Sequence, residues 1–295
     1  MLGVLRPGGT ICLKYAGYDH FVATVSHHYD LLQRRETTQQ YLEFSGVTSS
    51  QFETLSSDRT RPCKFIRLGY HYPSQVLLVK IMPGWDHEEI AGLFRMMIDE
   101  QLFSMQLSRE FIVMQSPINR LGDWAKEPDI CWAPRATSSS LTCVVEVGTS
   151  ESASQLAIDA RGWLETPGAT VRAVLTISLD FNDLITIEVW ELGNRASAIG
   201  TRNMPSSASR IWSIQISRAP GATVPTISGY LRDPITQAAT PTDEIRLDFD
   251  MFVGRQAAGI KEGDVILTKD LLVEFAKDFW ELRRQRQLLE NLRMN

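Results

Sequence analysis

The chain has 295 residues, of which 43% are hydrophobic and 22% charged, and this composition excludes disordered, collagen-like and other fibrous classes. A chain of this length can bury a substantial core in one large domain or two smaller ones. The formal net charge of −5 argues against broad nucleic-acid binding, although an acidic protein can carry a local basic surface. No window approaches the roughly 20 apolar residues that cross a bilayer, so we expect no membrane partner.

The cysteines and the N-terminus indicate the compartment. Cys12, Cys63, Cys131 and Cys143 are far apart and form no CxxC pair, which fits reduced thiols better than a disulfide or zinc framework. The opening MLGVLRPGGTICLKY lacks a basic segment followed by an apolar one, so we expect no signal peptide. Together these features predict an intracellular protein, cytoplasmic or nuclear.

Residues 1–63 form an N-terminal region with few clear signals, which we expect to pack on the core. Residues 29–44 predict a helix, and residues 45–62 are polar and turn-rich. The adjacent His27 and His28 do not favour a metal site, because neighbouring side chains point apart on a helix or a strand.

Residues 64–192 have the most regular pattern and are predicted to be the core. Two strands are expected at 64–72 and 75–82. A helix follows, with Asp86 as its N-cap and Glu89 as the partner in an Asp version of the capping box. Apolar residues then recur at helical spacing: Ile90, Leu93, Phe94, Met97, Ile98, Leu102 and Met105. The remaining core elements are a helix over residues 152–164 and strands over residues 110–116, 141–147, 170–179 and 185–192.

The last third of the chain divides into two regions. Residues 193–268 are rich in Ser, Ala, Pro and Gly, and they are predicted to form a β-rich extension. Its strands are expected at residues 210–217, 226–231 and 244–253, and residues 265–267 form a short apolar run after a turn. Residues 269–295 predict a long C-terminal helix. The basic residues Arg283, Arg284 and Arg286 on this helix fit either phosphate binding or a charged outer face near a helix C-terminus.

Two carboxylates in the core indicate possible chemistry. Asp129 follows Pro128 at the start of a short apolar run, and Glu146 is the single carboxylate in the apolar strand LTCVVEV. A buried carboxylate without a partner must shift its pKa or find a cation or donor. Two carboxylates on neighbouring strands can hold Mg²⁺, which prefers oxygen ligands and keeps several waters. Such an ion activates water and stabilises charge that develops on a phosphate.

The order of short motifs over about residues 75–192 resembles the PD-(D/E)XK nuclease-like superfamily, the fold of many restriction endonucleases. It resembles in particular a fungal group with EPD, VVEVG, SES, QL and DA motifs. The residues that carry the likeness are Met82-Pro83, His87-Glu88, Glu127-Pro128-Asp129, Val144–Gly148, Ser150-Glu151-Ser152, Gln155-Leu156 and Asp159-Ala160 with Trp163. The resemblance implies an α/β (α+β) fold with a mixed central sheet flanked by helices.

The resemblance also implies a site. Asp129 and Glu146 would bind Mg²⁺ or Mn²⁺, and Glu88 or Glu89 would be the acidic residue of the first core helix. The lysine expected two residues after Glu146 is replaced by Gly148. In some relatives the basic residue lies on the following helix, where Arg161 is the nearest match, and in others a glutamine takes its place, for which Gln155 is available. Whether the protein is an enzyme therefore stays open.

Asp129, Glu146 and two tryptophans of the core also have interpretations that involve no function. Asp129 could cap a turn. Glu146 could be half exposed on an edge strand, or paired with Arg161 or Arg172. Trp163 and Trp190 are most simply core aromatics.

Three functions follow from these readings of the sequence. The first is a metal-dependent phosphodiesterase that acts on DNA or RNA, with Asp129 and Glu146 on the metal, Gln155 on the water and Arg161 on the phosphate. The second is a catalytically altered relative that serves as a binding module or acts on a small molecule. It predicts carboxylates that pair with side chains, or an apolar pocket beside them. The third, an unrelated interaction protein, requires that the Pro-Asp strand is not next to the Glu146 strand. The oligomeric state, a homodimer included, stays open.

Overall fold

A computed structural model describes residues 10–57, 61, 63–82, 84–114, 117–137, 140–149, 153–180, 182–193, 207–219, 221–222 and 224–294. The helices are α1 (Tyr18–Gln33), α2 (Ser49–Ser56), α3 (Trp85–Ser104), α4 (Ala153–Glu165), α5 (Phe249–Val253) and α6 (Lys269–Met294). The first eight strands are β1 (Ile11–Lys14), β2 (Tyr41–Ser45), β3 (Ile66–His71), β4 (Val76–Ile81), β5 (Phe111–Met114), β6 (Asn119–Leu121), β7 (Trp124–Lys126) and β8 (Ile130–Pro134). The others are β9 (Cys143–Thr149), β10 (Ala173–Leu179), β11 (Ile185–Gly193), β12 (Ser207–Ser217), β13 (Thr226–Arg232), β14 (Ala239–Pro241), β15 (Ile245–Leu247) and β16 (Val265–Leu267).

Within the described residues, the strands form two large sheets and one small pair. The N-terminal sheet has the order β1-β2-β4-β3-β7-β6, and the central sheet has the order β14-β13-β12-β11-β10-β9-β8-β5. The central sheet is mixed, since β9 pairs parallel with β10 and antiparallel with β8. Parallel neighbours need a crossover connection, and α4 supplies it between β9 and β10.

Strand β9 is buried along its whole length because helices cover both faces of the central sheet. Its residues alternate between the two faces. Val145 and Val147 belong to the core that includes apolar residues of α3 and α6. Val144 belongs to the opposite core, with Ala160 and Trp163 of α4. Glu146 lies on the same side as Val144, so the sheet directs its carboxylate towards α4.

The N-terminal sheet has its own core and is joined to the central sheet by polar contacts. Phe21 of α1 packs against Phe44 of β2, and Phe52 of α2 stacks on Tyr70 of β3. The side chain of Gln40 donates to the carbonyl of Thr149 at 3.1 Å, which connects the N-terminal sheet to the end of β9.

The fold class predicted from the sequence is confirmed. The structure has a mixed central sheet flanked by helices, a β-rich segment over β12 to β16 and a long C-terminal helix. This arrangement is a mixed α/β architecture. The boundaries expected at residues 63, 192 and 268 stay predictions. Within the described ranges, no helix is both long and apolar enough to cross a bilayer.

The helix expected over residues 29–44 is correct only for residues 29–33, which form the end of α1. Helix α1 ends at Gln33, and Arg35 then takes a positive φ of 58°. The following residues form β2, an inner strand that pairs with both β1 and β4 and buries four of its five side chains. Burial in the sheet overrides the helical pattern of this segment.

Two further local expectations are corrected. Residues 244–253 form the short strand β15 and then α5, which ends at Gly254 with φ 86°. The N-cap of α3 is Gly84, and no side chain caps it. Asp86 instead forms ion pairs with Arg283 and Arg286 of α6.

The basic cluster of α6 is engaged within the molecule. Arg286 pairs with Glu89 at 2.7 Å and with Asp86. Arg284 pairs with Glu281 on its own helix at 2.8 Å. These contacts favour the interpretation of the cluster as a charged outer face over phosphate binding. The pairs of Arg286 also connect α6 to the first turns of α3.

Candidate functional site

Asp129 directly precedes β8, and Glu146 lies on the neighbouring strand β9. Ile130 of β8 pairs with Val145 of β9, and one further step of this antiparallel register places Asp129 opposite Glu146. Asp129 is 3% exposed and Glu146 is 1% exposed. Asp129 Oδ2 accepts a hydrogen bond from the backbone N–H of Val147 at 2.8 Å, so it joins the two strands rather than capping a local turn. The Pro-Asp strand is next to the Glu146 strand. The hypothesis of an unrelated interaction protein required that these strands are not neighbours, so the structure argues against it.

A lysine of the N-terminal sheet reaches both carboxylates. Lys80 of β4 is 7% exposed, and its Nζ donates to the carbonyl oxygen of Val147 at 2.9 Å. The same Nζ lies 3.5 Å from Asp129 Oδ2 and 3.6 Å from Glu146 Oε2. Three oxygen atoms from two strands therefore surround one cationic group.

Two more cationic side chains contact Asp129. Arg67 Nε of β3 lies 3.2 Å from Oδ1, and His87 Nε2 of α3 lies 3.2 Å from Oδ2. Burial alone would raise the pKa of Asp129, but the charges of Lys80, His87 and Arg67 hold it well below its usual range. Burial would lower the pKa of His87, but the charge and hydrogen bond of Asp129 raise it to about 9. Asp129 is therefore ionised and His87 protonated at neutral pH.

Glu146 has a different environment. Trp163 Nε1 of α4 donates to Glu146 Oε1 at 2.5 Å, and Lys126 Nζ lies 3.7 Å from the same atom. Burial raises the pKa of Glu146 to about 7, because the attraction of Lys126 is offset by the charges of Asp159 and Asp129. The two carboxylates thus have separated pKa values, and Glu146 is close to its midpoint at neutral pH.

Asp159 is a further acidic group of the site. Lys126 Nζ lies 2.7 Å from Asp159 Oδ1, and the hydroxyl of Tyr41 donates to Oδ2 at 2.8 Å. Burial opposes ionisation, but Lys126, Lys80 and Tyr41 lower the pKa of Asp159. A separate ion pair holds Glu127, whose carboxylate accepts two hydrogen bonds from Arg61 at 2.6 and 2.8 Å.

The other predicted site residues lie around this cluster. The side chain of Glu88 is 57% exposed, and it reaches the cluster through His87 Nδ1 at 3.4 Å and Arg67 at 3.9 Å. Arg161 is exposed on α4 and lines the cavity described below. Gln155 is buried on α4 and is not among the described residues that line this cavity. Ser150 and Ser152 lie outside the described residues.

The alternative partners considered for Glu146 are not the ones observed. Its cationic neighbours are Lys80 and Lys126, whereas Arg172 donates to the backbone carbonyl of Asp250. Trp163 and Trp190 are buried core aromatics, as predicted. The sequence contains one signal for Lys80. It is a lone charge in the buried strand VLLVKI, which is the same pattern that drew attention to Glu146.

A cavity of about 790 Å³ lies between the N-terminal sheet and α4, and its walls are mostly apolar. Glu146, Lys80 and Lys126 line it together with Trp124 and Arg161. Its other described lining residues come mainly from β3, β4, the turn between β6 and β7, and the segment after α4, and they include Leu78, Leu121, Gly122, Ile158, Thr166 and Pro167. The carboxylate of Glu146 is therefore approached through this cavity.

Gly122 lines one wall of the cavity. Its replacement by alanine tests how closely its backbone approaches the segment after α4. Gly122 has φ +54°, and a Cβ there would lie 2.9 Å from the carbonyl oxygen of Pro167. Gly168 has φ +81° but open space around it. We expect Gly122→Ala to lower the free energy of unfolding by about 2–4 kcal/mol and Gly168→Ala by only about 1 kcal/mol, since both strain the backbone but the first also creates a clash. Urea denaturation measures both, and equal losses would contradict the close approach.

Comparisons with known proteins add little. The sequence matches no protein-family model and no curated protein. Among solved structures, the chain is similar to a candidate nuclease belonging to DUF820 from Anabaena variabilis, with 12% identity over 45% of this chain and 80% of that one and a TM-score of 0.31. A likeness this low carries no argument about function. Within the described residues, no group of three or more His, Cys, Asp or Glu side chains is arranged to hold a metal ion.

Proposed function

We propose that the protein is a nuclease-like, metal-dependent phosphodiesterase that uses Asp129 and Glu146. One observation carries the proposal: Asp129 Oδ2, Glu146 Oε2 and the carbonyl oxygen of Val147 converge on one cationic group, the ammonium of Lys80. The motif resemblance between residues 75 and 192 supports the same assignment. Lys80 would take the place of the lysine that is missing at Gly148.

The oxygen atoms present fit a divalent cation. Two carboxylates and a backbone carbonyl are hard ligands of the kind that Mg²⁺ and Mn²⁺ prefer, and Mg²⁺ completes its shell with water. Asp129 Oδ1 is buried, and its contact with Arg67 Nε at 3.2 Å is an ion pair without hydrogen-bond geometry, so this oxygen keeps a lone pair for a metal ion. Asp129, Glu146 and the Val147 carbonyl would hold the ion. The bound ion would lower the pKa of a water and stabilise the charge of the phosphate.

The side chains around the carboxylates have separate tasks in this proposal. Trp163 fixes the orientation of Glu146 by its hydrogen bond to Oε1. Arg67 and His87 keep Asp129 ionised. Lys80 is placed to donate a proton or a hydrogen bond beside Glu146. Arg161, at the cavity wall, supplies a permanent positive charge for a phosphate oxygen. Gln155 is buried, and its proposed role on a water would require a movement of α4.

The test is cleavage of single- and double-stranded DNA and RNA with Mg²⁺ or Mn²⁺, together with calorimetry of metal binding. We expect Asp129→Asn and Glu146→Gln each to abolish both, because each removes a charged oxygen ligand. Glu188→Gln is the matched control, since Glu188 is a buried carboxylate of the central sheet that pairs with Arg210. Metal binding and cleavage that persist in both variants would reject the proposal.

A second function is favoured by the pairing of the carboxylates. Asp129 and Glu146 are already neutralised by lysine, arginine and histidine side chains, and a largely apolar cavity lies beside Glu146. A catalytically altered protein that binds a small molecule, or acts on one, would have this arrangement. For that protein we expect neither metal binding nor cleavage. Asp129→Asn would then alter stability and ligand binding only.

A further inference from the structure

We infer that the substrate is single-stranded nucleic acid, of which one nucleotide enters the cavity with its base against Trp124. This inference rests on the proposed phosphodiesterase function and adds the substrate class. It follows from where Glu146 lies, from the size of the cavity and from the chemistry of its walls.

The position of Glu146 requires the phosphate to enter the cavity. Glu146 is 1% exposed and lines the cavity, so a phosphate can approach its carboxylate only from inside. In a duplex, the phosphates are on the outside of a rigid double helix and the bases are stacked and paired. A cavity of about 790 Å³ is in the range that encloses a small molecule, roughly 300–1,000 Å³. One unpaired nucleotide fits that volume, and a duplex does not.

The walls suit a planar base next to a phosphate. Trp124 of β7 lines the cavity, and its ring lies 4.7 Å from the ring of His71. The His71 ring is itself held by a contact of 2.7 Å between its Nδ1 and the hydroxyl of Ser74. A supported indole beside apolar walls is a stacking platform that accepts any base. Leu121 and Pro167 supply part of the apolar wall.

The charges of the lining match a phosphate that arrives with a cation. Arg161, Lys126, Lys80 and Arg67 provide positive charge. The acidic residues are mostly engaged: Arg61 binds Glu127, and Lys126 and Tyr41 bind Asp159. Glu165 accepts from the backbone N–H of Ala208 at 2.9 Å. Glu146 accepts from Trp163 and lies beside Lys80 and Lys126, and in the proposed site it would bind the metal ion that accompanies the phosphate.

The experiment compares the affinity of the full-length protein for a 12-nucleotide oligodeoxyadenylate, for the same oligonucleotide paired with oligodeoxythymidylate, and for adenosine 5′-monophosphate against ribose 5-phosphate. Binding is measured by fluorescence anisotropy or calorimetry in EDTA. Variants are Trp124→Ala, Trp124→Phe and, as control, Phe103→Ala, whose side chain is 74% exposed on α3 and does not line this cavity. Cleavage of single and paired strands in Mg²⁺ is measured in parallel.

We expect the single strand to bind at least 10-fold more tightly than the duplex, and the monophosphate to bind more tightly than the sugar phosphate. Trp124→Ala should weaken single-strand binding about 5- to 100-fold, the range for loss of one stacked base. Trp124→Phe should restore binding to within a few-fold, and Phe103→Ala should change nothing. Equal affinity for duplex and single strand, or equal effects of Trp124→Ala and Phe103→Ala, would overturn the inference.

The parallel assay separates the two proposals. Metal-dependent cleavage of duplex that is unaffected by Trp124→Ala would leave the phosphodiesterase standing and overturn the single-strand inference. Single-strand binding that depends on Trp124, with no cleavage at any metal concentration, would support the binding of a nucleotide in the cavity. The same result would reject the phosphodiesterase function. If the wild-type protein neither binds single strands nor cleaves nucleic acid, both the single-strand inference and the phosphodiesterase function would be rejected.

Discussion

Replacing Lys80 with methionine will lower metal-dependent cleavage by about 100-fold or more and will at the same time strengthen Mg²⁺ binding. The first effect follows if Lys80 is the amine of the site, since a positioned acid or base contributes roughly 10²- to 10⁴-fold to catalysis. The second follows from geometry. The Lys80 ammonium contacts the same three oxygen atoms that would bind the ion, so it competes with the metal.

The opposite direction of these two effects makes the Lys80 variant informative. Asp129→Asn removes a ligand and is expected to weaken Mg²⁺ binding and cleavage together. Lys80→Met removes a group that competes with the metal ion, and it is expected to strengthen Mg²⁺ binding while it weakens cleavage. Lys80→Arg is the matched control, because it keeps a positive charge near the carboxylates but cannot release a proton at ordinary pH. We expect it to bind Mg²⁺ weakly and to be inactive.

Stability provides an independent measurement on the same variant. Removing one partner of a buried ion pair costs about 3–5 kcal/mol, because the other charge stays buried without compensation. Lys80→Met should therefore have a lower Tm than the wild type in EDTA. Added Mg²⁺ should raise the Tm of Lys80→Met more than that of the wild type, since the ion replaces the missing charge. A Tm of the variant that does not respond to Mg²⁺ would show that these oxygens do not bind a divalent cation.

The comparison of sequence and structure shows which parts of the site were predictable. Asp129 and Glu146 were predictable because each is marked by its neighbours along the chain: a proline before Asp129 and an apolar run around Glu146. Most helices and strands between residues 64 and 192 follow from their hydrophobic periodicity, but the short strands β6 and β7 lie in a segment whose polar sequence predicts a loop. These signals depend only on residues close in sequence.

The cations of the site were not located, for a physical reason. Lys80, Arg67 and Lys126 lie on three strands of the N-terminal sheet, and they reach Asp129 and Glu146 only because that sheet packs beside the central one. No local pattern specifies this packing. The motif resemblance places the missing basic residue after Gly148, where Arg161 is the nearest match. In the fold, the lysine that lies beside both carboxylates is Lys80 of β4, 66 residues before Glu146.

The second prediction is that the stability of the wild-type protein falls more between pH 6.5 and pH 9 than the stability of His87→Gln does. The pKa of His87 is raised from 6.5 to about 9 in the folded protein by the carboxylate of Asp129. A raised pKa means that folding favours the protonated imidazole. The resulting stabilisation is fully present below pH 6.5, and it is lost as the pH rises through 9. The shift corresponds to a loss of up to about 3 kcal/mol.

The difference between the wild type and His87→Gln isolates this contribution. Glu146 also has a raised pKa, from 4.5 to about 7, so its contribution is present below pH 4.5 and lost as the pH rises through 7. Glu146 is intact in both proteins, and its effect largely cancels in the difference. Urea denaturation at half-unit steps from pH 5 to 10 should give a constant difference up to about pH 6.5 and a decline up to about pH 9.5.

The mechanism behind this decline can be checked directly. Nitrogen-15 chemical shifts of the His87 ring should report protonation of both nitrogens at pH 7.5, because Nε2 faces Asp129 and Nδ1 faces Glu88. Asp129→Asn should then lower the pKa of His87 below its ordinary value, since burial remains and the carboxylate charge is gone. A stability difference that stays constant from pH 5 to 10, with a neutral ring at pH 7.5, would show that His87 does not hold Asp129 in its ionised form. In that case Lys80 and Arg67 alone would fix the charge of the proposed metal ligand.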